Sequence, residues 1–193
     1  ATYGVDKAIF GYGSGYSSVT NLVNNSGVVG SDVSGVGTAR AGLGAAGYGN
    51  DKAIFAYGHG GPSTGVTNLV NNSGVVASDV SGVGTARSFL GAAGYGSDKA
   101  IFAYGYTSGD ALTSVSNLVS NSGVVASDVS GVGTARKNIA GTSYGGDKAI
   151  FGYGTTGSYT AITNLVNNSG VIGADVTGVG TTRDVLAAAG YSY

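Results

Sequence analysis

The feature that most constrains this chain is a fourfold internal repeat. The pentapeptide Asp-Lys-Ala-Ile-Phe begins at Asp6, Asp51, Asp98 and Asp147, so successive copies start 45, 47 and 49 residues apart. Every copy continues with Tyr-Gly, Asn-Leu-Val, Asn-Ser-Gly-Val and Gly-Val-Gly-Thr in that order. A repeat of this length is one supersecondary unit that stacks on its neighbours to bury its apolar face. We therefore assign a single domain, residues 1–193, with repeats at 6–50, 51–97, 98–146 and 147–193.

The differences in repeat length fall in one place. From the Asp of Asp-Lys-Ala-Ile-Phe to the Asn of Asn-Leu-Val, the separations are 15, 17, 19 and 17 residues. From that Asn to the next repeat the separation is always 30 residues. All insertions therefore lie in the loop that follows the first Tyr-Gly.

The composition favours β-structure with tight turns. The chain contains 38 Gly and 13 Tyr, and only 10% of its residues are charged. All ten acidic residues are Asp, and Val, Thr, Tyr, Ile and Phe, which favour strands, are abundant. The net charge of −1 gives no electrostatic reason to expect nucleic acid as a partner. No apolar stretch is long enough to span a bilayer, so we expect no membrane insertion.

A period in the mid-forties matches one four-stranded blade of a β-propeller. We read four short strands in each repeat: the run ending at Ala-Ala-Gly-Tyr, Lys-Ala-Ile-Phe-Gly-Tyr, Val-Thr-Asn-Leu-Val, and Val-Val-Ala-Ser-Asp-Val. The sequence therefore predicts an all-β, four-bladed β-propeller with antiparallel blades.

The ends of the chain suggest how such a ring closes. We expect residues around 186–191 to complete the blade begun by residues 7–12, so that the N- and C-terminal strands share one blade. Ala1-Thr2-Tyr3-Gly4 also resembles the end of a first strand, however, and competes for the same position. Closure through a neighbouring subunit is therefore the alternative, and it makes a homo-oligomer a possible form of the protein.

Two resemblances support this architecture. The stretch from Arg40 to Gly58 resembles a kelch repeat in layout, although Tyr-Gly replaces the double Gly and the repeat Trp is absent. The phrases Asp-Lys-Ala-Ile-Phe-Gly-Tyr-Gly, Thr-Asn-Leu-Val-Asn-Asn-Ser-Gly-Val-Val and Gly-Val-Gly-Thr-Ala-Arg look like repeats in structural proteins of tailed bacteriophages. This second resemblance covers nearly the whole chain. It implies a virion component, such as a tail, fibre or capsid-surface protein, and it assigns no catalytic residues.

Most charged residues recur once per repeat, and we interpret them as scaffold. Sixteen of the nineteen belong to four recurring positions, two Asp, one Lys and one Arg in every repeat. We expect each Arg to bind the Asp of Asp-Val-Ser/Thr-Gly or backbone carbonyls between blades, and the recurring tyrosines to pack between blades with bonded hydroxyls. The alternative is a ring of Asp or Arg that holds an ion around the axis. We predict no cofactor and no metal.

Residues that break the repeat are the candidates for binding. They lie in the loops 14–18, 59–65, 106–114 and 155–161 and in the dipeptide after each Arg, and in a four-stranded blade both sites map to one face of the disc. Tyrosine combined with Ser and Gly is typical of adaptable binding surfaces. The alternative is that these are surface loops under no constraint. The candidate binding residues are Tyr16, His59, Phe89, Tyr106, Asp110, Lys137, Tyr159 and Asp184.

The sequence argues against an enzyme. The chain has one His and no Cys, so it offers few groups for general acid–base or nucleophilic catalysis. Asp110 and Asp184 are the only carboxylates outside the repeat, and so the only candidates for a glycosidase pair.

Three functions stay open. The first is a non-enzymatic structural or binding protein of a phage virion, made in the host cytoplasm, whose partners are other virion proteins or a host-surface glycan or protein. The second is a lectin-like propeller, and the third and most remote is a hydrolase.

Overall fold

The computed structural model describes residues 1–191, and within that range it contains strands and turns but no helix. None of the described residues therefore belongs to a helix that is long and apolar enough to cross a membrane. Thirteen strands form four small antiparallel sheets, which confirms the all-β class. The strands are β1 (Thr2–Tyr3), β2 (Lys7–Gly13), β3 (Ser17–Val23), β4 (Gly44–Tyr48), β5 (Lys52–Ala56), β6 (Thr67–Val70), β7 (Arg87–Ser88), β8 (Gly91–Tyr95), β9 (Lys99–Thr107), β10 (Leu112–Val119), β11 (Ala140–Tyr144), β12 (Lys148–Gly152) and β13 (Thr163–Val166).

Every sheet is the same antiparallel meander, and its first strand lies just before the Asp-Lys-Ala-Ile-Phe of its repeat, so sheets II to IV take that strand from the end of the preceding repeat. Sheet I consists of β1–β2–β3, sheet II of β4–β5–β6, sheet III of β7 to β10 and sheet IV of β11–β12–β13. The middle strand of every sheet begins at the Lys of Asp-Lys-Ala-Ile-Phe, and the next strand contains Asn-Leu-Val. β-Branched and aromatic residues at these positions suit strands that are packed on both faces.

The predicted fourth strand is present only in reduced form. After the third strand the chain returns and forms two isolated antiparallel bridges in each sheet, such as Val70 with Val76 and Thr67 with Val80 in sheet II. Residues 77–79, which lie between the two bridges of sheet II, belong to no strand.

The hydrophobic core consists of three layers, each lying between two consecutive sheets. Ile9 and Tyr3 of sheet I pack with Phe55 of sheet II, and the same arrangement recurs between sheets II and III and between sheets III and IV. The first strands β4, β8 and β11 lie side by side, and β1 lies beside β4. The four sheets are therefore neighbours in chain order, and they meet along their first strands.

The predicted closure of the ring is wrong for the described residues. Thr2 and Tyr3 pair with Ala8 and Lys7, so the N-terminus itself fills the first-strand position of sheet I. Residues 186–191 form no strand, and Gly190 lies against the carbonyl of Ser143 in sheet IV. Residues 192 and 193 lie outside the described residues. Within the described residues, the N-terminal strand therefore belongs to sheet I, whereas the C-terminal segment lies beside sheet IV.

Candidate functional site

The recurring arginines are buried between consecutive sheets. Arg87 is 0% exposed, its guanidinium lies 4.1 Å above the Tyr57 ring of sheet II, and its Nε donates to the Tyr104 carbonyl of sheet III at 2.9 Å. Arg40 and Arg136 make the same two contacts one sheet earlier and one sheet later. These three arginines therefore clamp neighbouring sheets, which confirms their interpretation as scaffold.

The recurring Asp next to Val accepts hydrogen bonds and does not bind the arginine directly. Asp79 accepts from the backbone N–H and the hydroxyl of Thr38, the latter at 2.6 Å, and from Nδ2 of Asn68 at 2.9 Å. Burial raises the pKa of Asp79, but the bonds from Thr38 and Asn68 outweigh it and hold the pKa below its ordinary value. Asp128 and Asp175 are held in the same way.

The recurring tyrosines follow the prediction in part: the set that follows Asp-Lys-Ala-Ile-Phe has bonded hydroxyls, whereas in the second set Tyr48 and Tyr95 are buried but Tyr144 and Tyr191 are exposed. Tyr57 is fully buried, its hydroxyl donates to the Val83 carbonyl at 3.0 Å, and burial raises its pKa. Tyr12, Tyr104 and Tyr153 donate to the equivalent carbonyls. All four adopt φ between 63° and 65°, a left-handed conformation that turns each ring out of its strand toward the arginine.

The residues that do not repeat form a groove at the loop ends of sheets II and III. The loop between β5 and β6, the dipeptide after Arg87, and the loop between β9 and β10 enclose a volume of about 330 Å³. Four of the predicted binding residues line this groove: His59, Phe89, Tyr106 and Asp110. The structure therefore brings together side chains that are up to 51 residues apart in the sequence.

Aromatic rings form a row into the groove. The ring of Tyr16 meets His59 edge-on at 5.6 Å between centroids, and His59 lies 5.1 Å from Phe89. Phe89 has φ 55°, a left-handed conformation that the structure holds at the equivalent residue after each recurring Arg: Gly42, Asn138 and Val185. Because this conformation recurs after every Arg, it belongs to the shared scaffold that positions the Phe89 ring.

The other wall of the groove carries charge. The hydroxyl of Tyr106 donates to the Asp110 carboxylate at 2.7 Å, and this bond raises the pKa of Tyr106. The ammonium of Lys137 lies 4.1 Å above the Tyr106 ring, a cation–π contact. The groove therefore offers aromatic faces beside a fixed carboxylate.

Two predicted residues lie outside this cluster. The side chain of Tyr159 in sheet IV is 64% exposed. Asp184 accepts a hydrogen bond from Nδ2 of Asn138 at 2.8 Å, between sheet IV and the chain that follows it. The paired carboxylates of the hydrolase hypothesis thus have separate partners, Tyr106 for Asp110 and Asn138 for Asp184.

Sequence reasoning did not single out the serines of the groove. Ser63 and Ser88 line it, and the backbone N–H of Ser63 donates to the hydroxyl of Ser108 at 2.8 Å across the two loops. Serine is frequent in every loop of this chain, so residue type alone does not distinguish these serines. The one available signal was that Ser63 and Ser108 lie in the variable loops.

A second hollow lies where the first strands of all four sheets approach one another. It measures about 210 Å³ and is lined by residues at equivalent positions of the first strands, Thr2, Gly47, Gly94 and Ser143, and by Lys52. The arginines are elsewhere, and within residues 1–191 no group of three or more His, Asp or Glu is placed to hold a metal ion.

Comparison with known proteins supports the fold without naming a function. No family model matches the chain, and no curated protein matches it. Among solved structures it is similar to YjhT, with a TM-score of 0.58 and 11% sequence identity. The match covers 83% of this chain and 52% of YjhT, so the chain spans about half the length of that structure. At this identity the likeness concerns the fold alone, and it identifies the class as an all-β protein of small antiparallel sheets.

Proposed function

We propose that the four sheets are blades of a β-propeller and that the chain is a non-enzymatic binding protein which recognises its target through the groove. The observation that carries this proposal is the collection of His59, Phe89, Tyr106 and Asp110 in one groove, all from positions outside the repeat. Large aromatic faces with nearby polar groups are the usual anchors of recognition sites.

The arrangement of the groove supports binding over catalysis. The imidazole of His59 packs between the rings of Tyr16 and Phe89, and the carboxylate of Asp110 accepts from Tyr106. A general base must lie within hydrogen-bond reach of the proton that it removes from a substrate. Here the contacts of both side chains serve to hold aromatic surface in place.

We further propose that the protein is a component of a bacteriophage virion that contributes to assembly or to host attachment. The support is the resemblance of the repeated phrases to tailed-phage structural proteins. Proteomics of purified virions that carry the gene tests this directly, because we expect the chain in the particle. Its absence from intact virions would remove the virion proposal and leave the groove proposal standing.

A host-surface carbohydrate is the second candidate for the target. Aromatic faces beside hydroxyl and carboxylate groups suit the apolar face and the hydroxyls of a sugar ring, and the groove of about 330 Å³ has both. A lectin-like site of this kind is compatible with a virion location. The lectin proposal is narrower than the virion proposal, because it specifies the ligand of the groove.

Binding measurements with matched variants test the groove. We expect Tyr106→Ala to weaken binding to host cells or to an arrayed glycan about 30-fold, the loss typical of an aromatic anchor. Tyr159→Ala is the control, because Tyr159 is an exposed loop tyrosine outside the groove. Equal loss in both variants, or in neither, would contradict the groove as the site. Binding to cells without binding to any glycan would favour a protein receptor.

A further inference from the structure

Every internal junction between sheets uses one set of contacts. The Phe of Asp-Lys-Ala-Ile-Phe packs on the Tyr ring of the preceding sheet, with centroid distances of 5.1, 5.6 and 5.8 Å for Tyr12–Phe55, Tyr57–Phe102 and Tyr104–Phe151. The Thr and Arg that follow the preceding sheet also donate hydrogen bonds to the following sheet. The Thr donates to the Asp next to Val, and the Arg donates to a Tyr carbonyl. Each sheet therefore has two different faces that fit each other.

Sheet I presents the receiving half of this junction, and residues 1–191 place no partner against it. Phe10 is 62% exposed, whereas the equivalent Phe55, Phe102 and Phe151 are at most 2% exposed. Val29 is 54% exposed, against 8% for Val76 at the same position of sheet II. The Asp32 carboxylate accepts only from Nδ2 of Asn21 among the described residues, and a Cβ added at Gly27 would meet nothing. We call this surface the first edge.

Sheet IV presents the complementary half. Arg183 lies 4.1 Å above the Tyr153 ring, as Arg87 lies above Tyr57, but it is exposed, and in residues 1–191 its guanidinium donates only to the Thr181 carbonyl. Tyr144 is 39% exposed, whereas Tyr95, at the same position of sheet III, is 5% exposed. We call this surface the last edge.

Two hollows on the last edge match the side chains exposed on the first edge. One of about 200 Å³ is lined by Gly152, Tyr153 and Arg183, where the internal junctions hold the next Phe against a Tyr ring. The other, of about 300 Å³, is lined by Tyr144 and Leu165. At the preceding junction, Gly170 of the following sheet's turn packs on the equivalent Tyr95 and Leu118.

The backbone shows the same complementarity. In sheet I, β1 pairs only with Lys7 and Ala8 of β2, whereas in sheet II β4 pairs with all of β5. Among residues 1–191, the part of β2 beyond Ile9 therefore lacks a first-strand partner. At the last edge, residues 186–188 occupy the same positions after Arg183 that the start of β4 occupies after Arg40. These residues form no strand. An added strand at such an edge supplies main-chain hydrogen bonds.

We propose that the last edge of one copy of this chain binds the first edge of a second copy, head to tail. By the pattern of the internal junctions, Phe10 enters the 200 Å³ hollow, and the turn at Gly27 covers Tyr144 and Leu165. Thr181 donates to Asp32, and Arg183 donates to the Tyr12 carbonyl and to Asn21, as Thr38 and Arg40 do to Asp79, Tyr57 and Asn68. The contact is heterologous, because two different surfaces meet.

Sedimentation velocity over a range of concentrations tests this proposal. We expect the wild-type chain to associate, and Phe10→Ser and Arg183→Ala each to weaken association about 30-fold or more, as the truncation of a central anchor does. Both side chains are exposed, so neither substitution removes a core contact. Val75→Ala is the control, because Val75 is 61% exposed in the turn of an internal sheet. A wild-type chain that stays monomeric at high micromolar concentration would overturn the proposal.

Mixing the two variants separates head-to-tail docking from any symmetric contact. Phe10→Ser keeps an intact last edge and Arg183→Ala keeps an intact first edge, so an equimolar mixture restores one junction and forms one-to-one pairs. Failure of the mixture to associate, with wild type associating, would show that the contact is not the proposed one. The groove residues take no part in this contact, so target binding and association fail independently.

Discussion

The junction between sheets II and III and the outer face of sheet IV have nearly the same sequence and very different surroundings. Arg87 and Arg183 each stack on a Tyr ring at 4.1 Å. Arg87 is fully buried and donates to two carbonyls of sheet III, whereas Arg183 is exposed and, within residues 1–191, donates only to the Thr181 carbonyl. A repeated residue therefore contributes to stability only where the next repeat completes its environment. Matched substitutions at internal and terminal copies measure this difference, and all are best made in dilute, monomeric protein.

The largest difference is expected for the phenylalanines. Phe102→Ala removes a side chain that is 0% exposed and leaves a cavity between sheets II and III, so we expect a loss of about 3–5 kcal/mol in the free energy of unfolding. Phe10→Ala changes a side chain that is 62% exposed, and we expect less than about 0.5 kcal/mol. Urea unfolding followed by tyrosine fluorescence gives both values. Equal losses would mean that Phe10 is buried in solution.

The arginines come next. Arg87→Ala leaves the buried carbonyls of Tyr104 and Phe102 without their donor, and we expect destabilisation of about 2–4 kcal/mol. Arg183→Ala removes one exposed hydrogen bond and a stacking contact, which we expect to contribute less than about 1 kcal/mol. The comparison fails if the thermal unfolding midpoints of the two variants coincide.

A smaller difference is expected for the threonines that reach the following sheet. Thr134→Val removes the hydroxyl that donates to Asp175 at 2.6 Å, and we expect a loss of about 1 kcal/mol. Thr181→Val is the matched control, because the structure gives the Thr181 hydroxyl no partner within residues 1–191. Chemical denaturation of the two variants side by side checks the expectation, and a larger loss for Thr181→Val would contradict it.

The smallest effects concern pH. Asp79, Asp128 and Asp175 have folded-state pKa values below the ordinary value of 3.8, because hydrogen bonds from Thr and Asn outweigh burial. Their contribution is therefore fully present above about pH 4 and is lost as the pH falls through the lowered pKa values. We expect thermal stability to fall in that acidic range.

Two variants test whether these three aspartates cause the loss of stability in acid. Asp128→Asn removes one of the three carboxylates, so part of the loss on acidification disappears. Asp32→Asn is the control, because Asp32 has no Thr from a preceding sheet within the described residues. An acid transition that is unchanged in Asp128→Asn would place its cause in other groups.

Much of the fold follows from the repeat, and what does not follow has a physical reason. The Lys of each Asp-Lys-Ala-Ile-Phe does begin a strand, because the pattern suits a strand wherever it occurs. The position of residues 186–191 was mispredicted. Whether a last sheet meets the first depends on the angle between sheets, which arises from packing at the junction and leaves no periodic signal.

The groove shows the same division between pattern and placement. His59, Phe89, Tyr106 and Asp110 stood out because they break the repeat, and the structure places all four in one groove. Tyr159 breaks the repeat equally well, but it is exposed and does not line the groove. A residue that breaks the repeat therefore marks a variable part of the surface. Whether that part of the surface forms a groove depends on the loops of the neighbouring sheet.

The self-matching faces of each sheet have a consequence for the history of such a gene. Because every junction joins the same two surfaces, an in-frame recombination that adds or removes one repeat joins surfaces that already fit. Arg40 would clamp Tyr104 of sheet III much as it clamps Tyr57 of sheet II, since both tyrosines present a carbonyl at the same point of the repeat. The number of repeats is then free to drift by recombination, while each loop diversifies by itself.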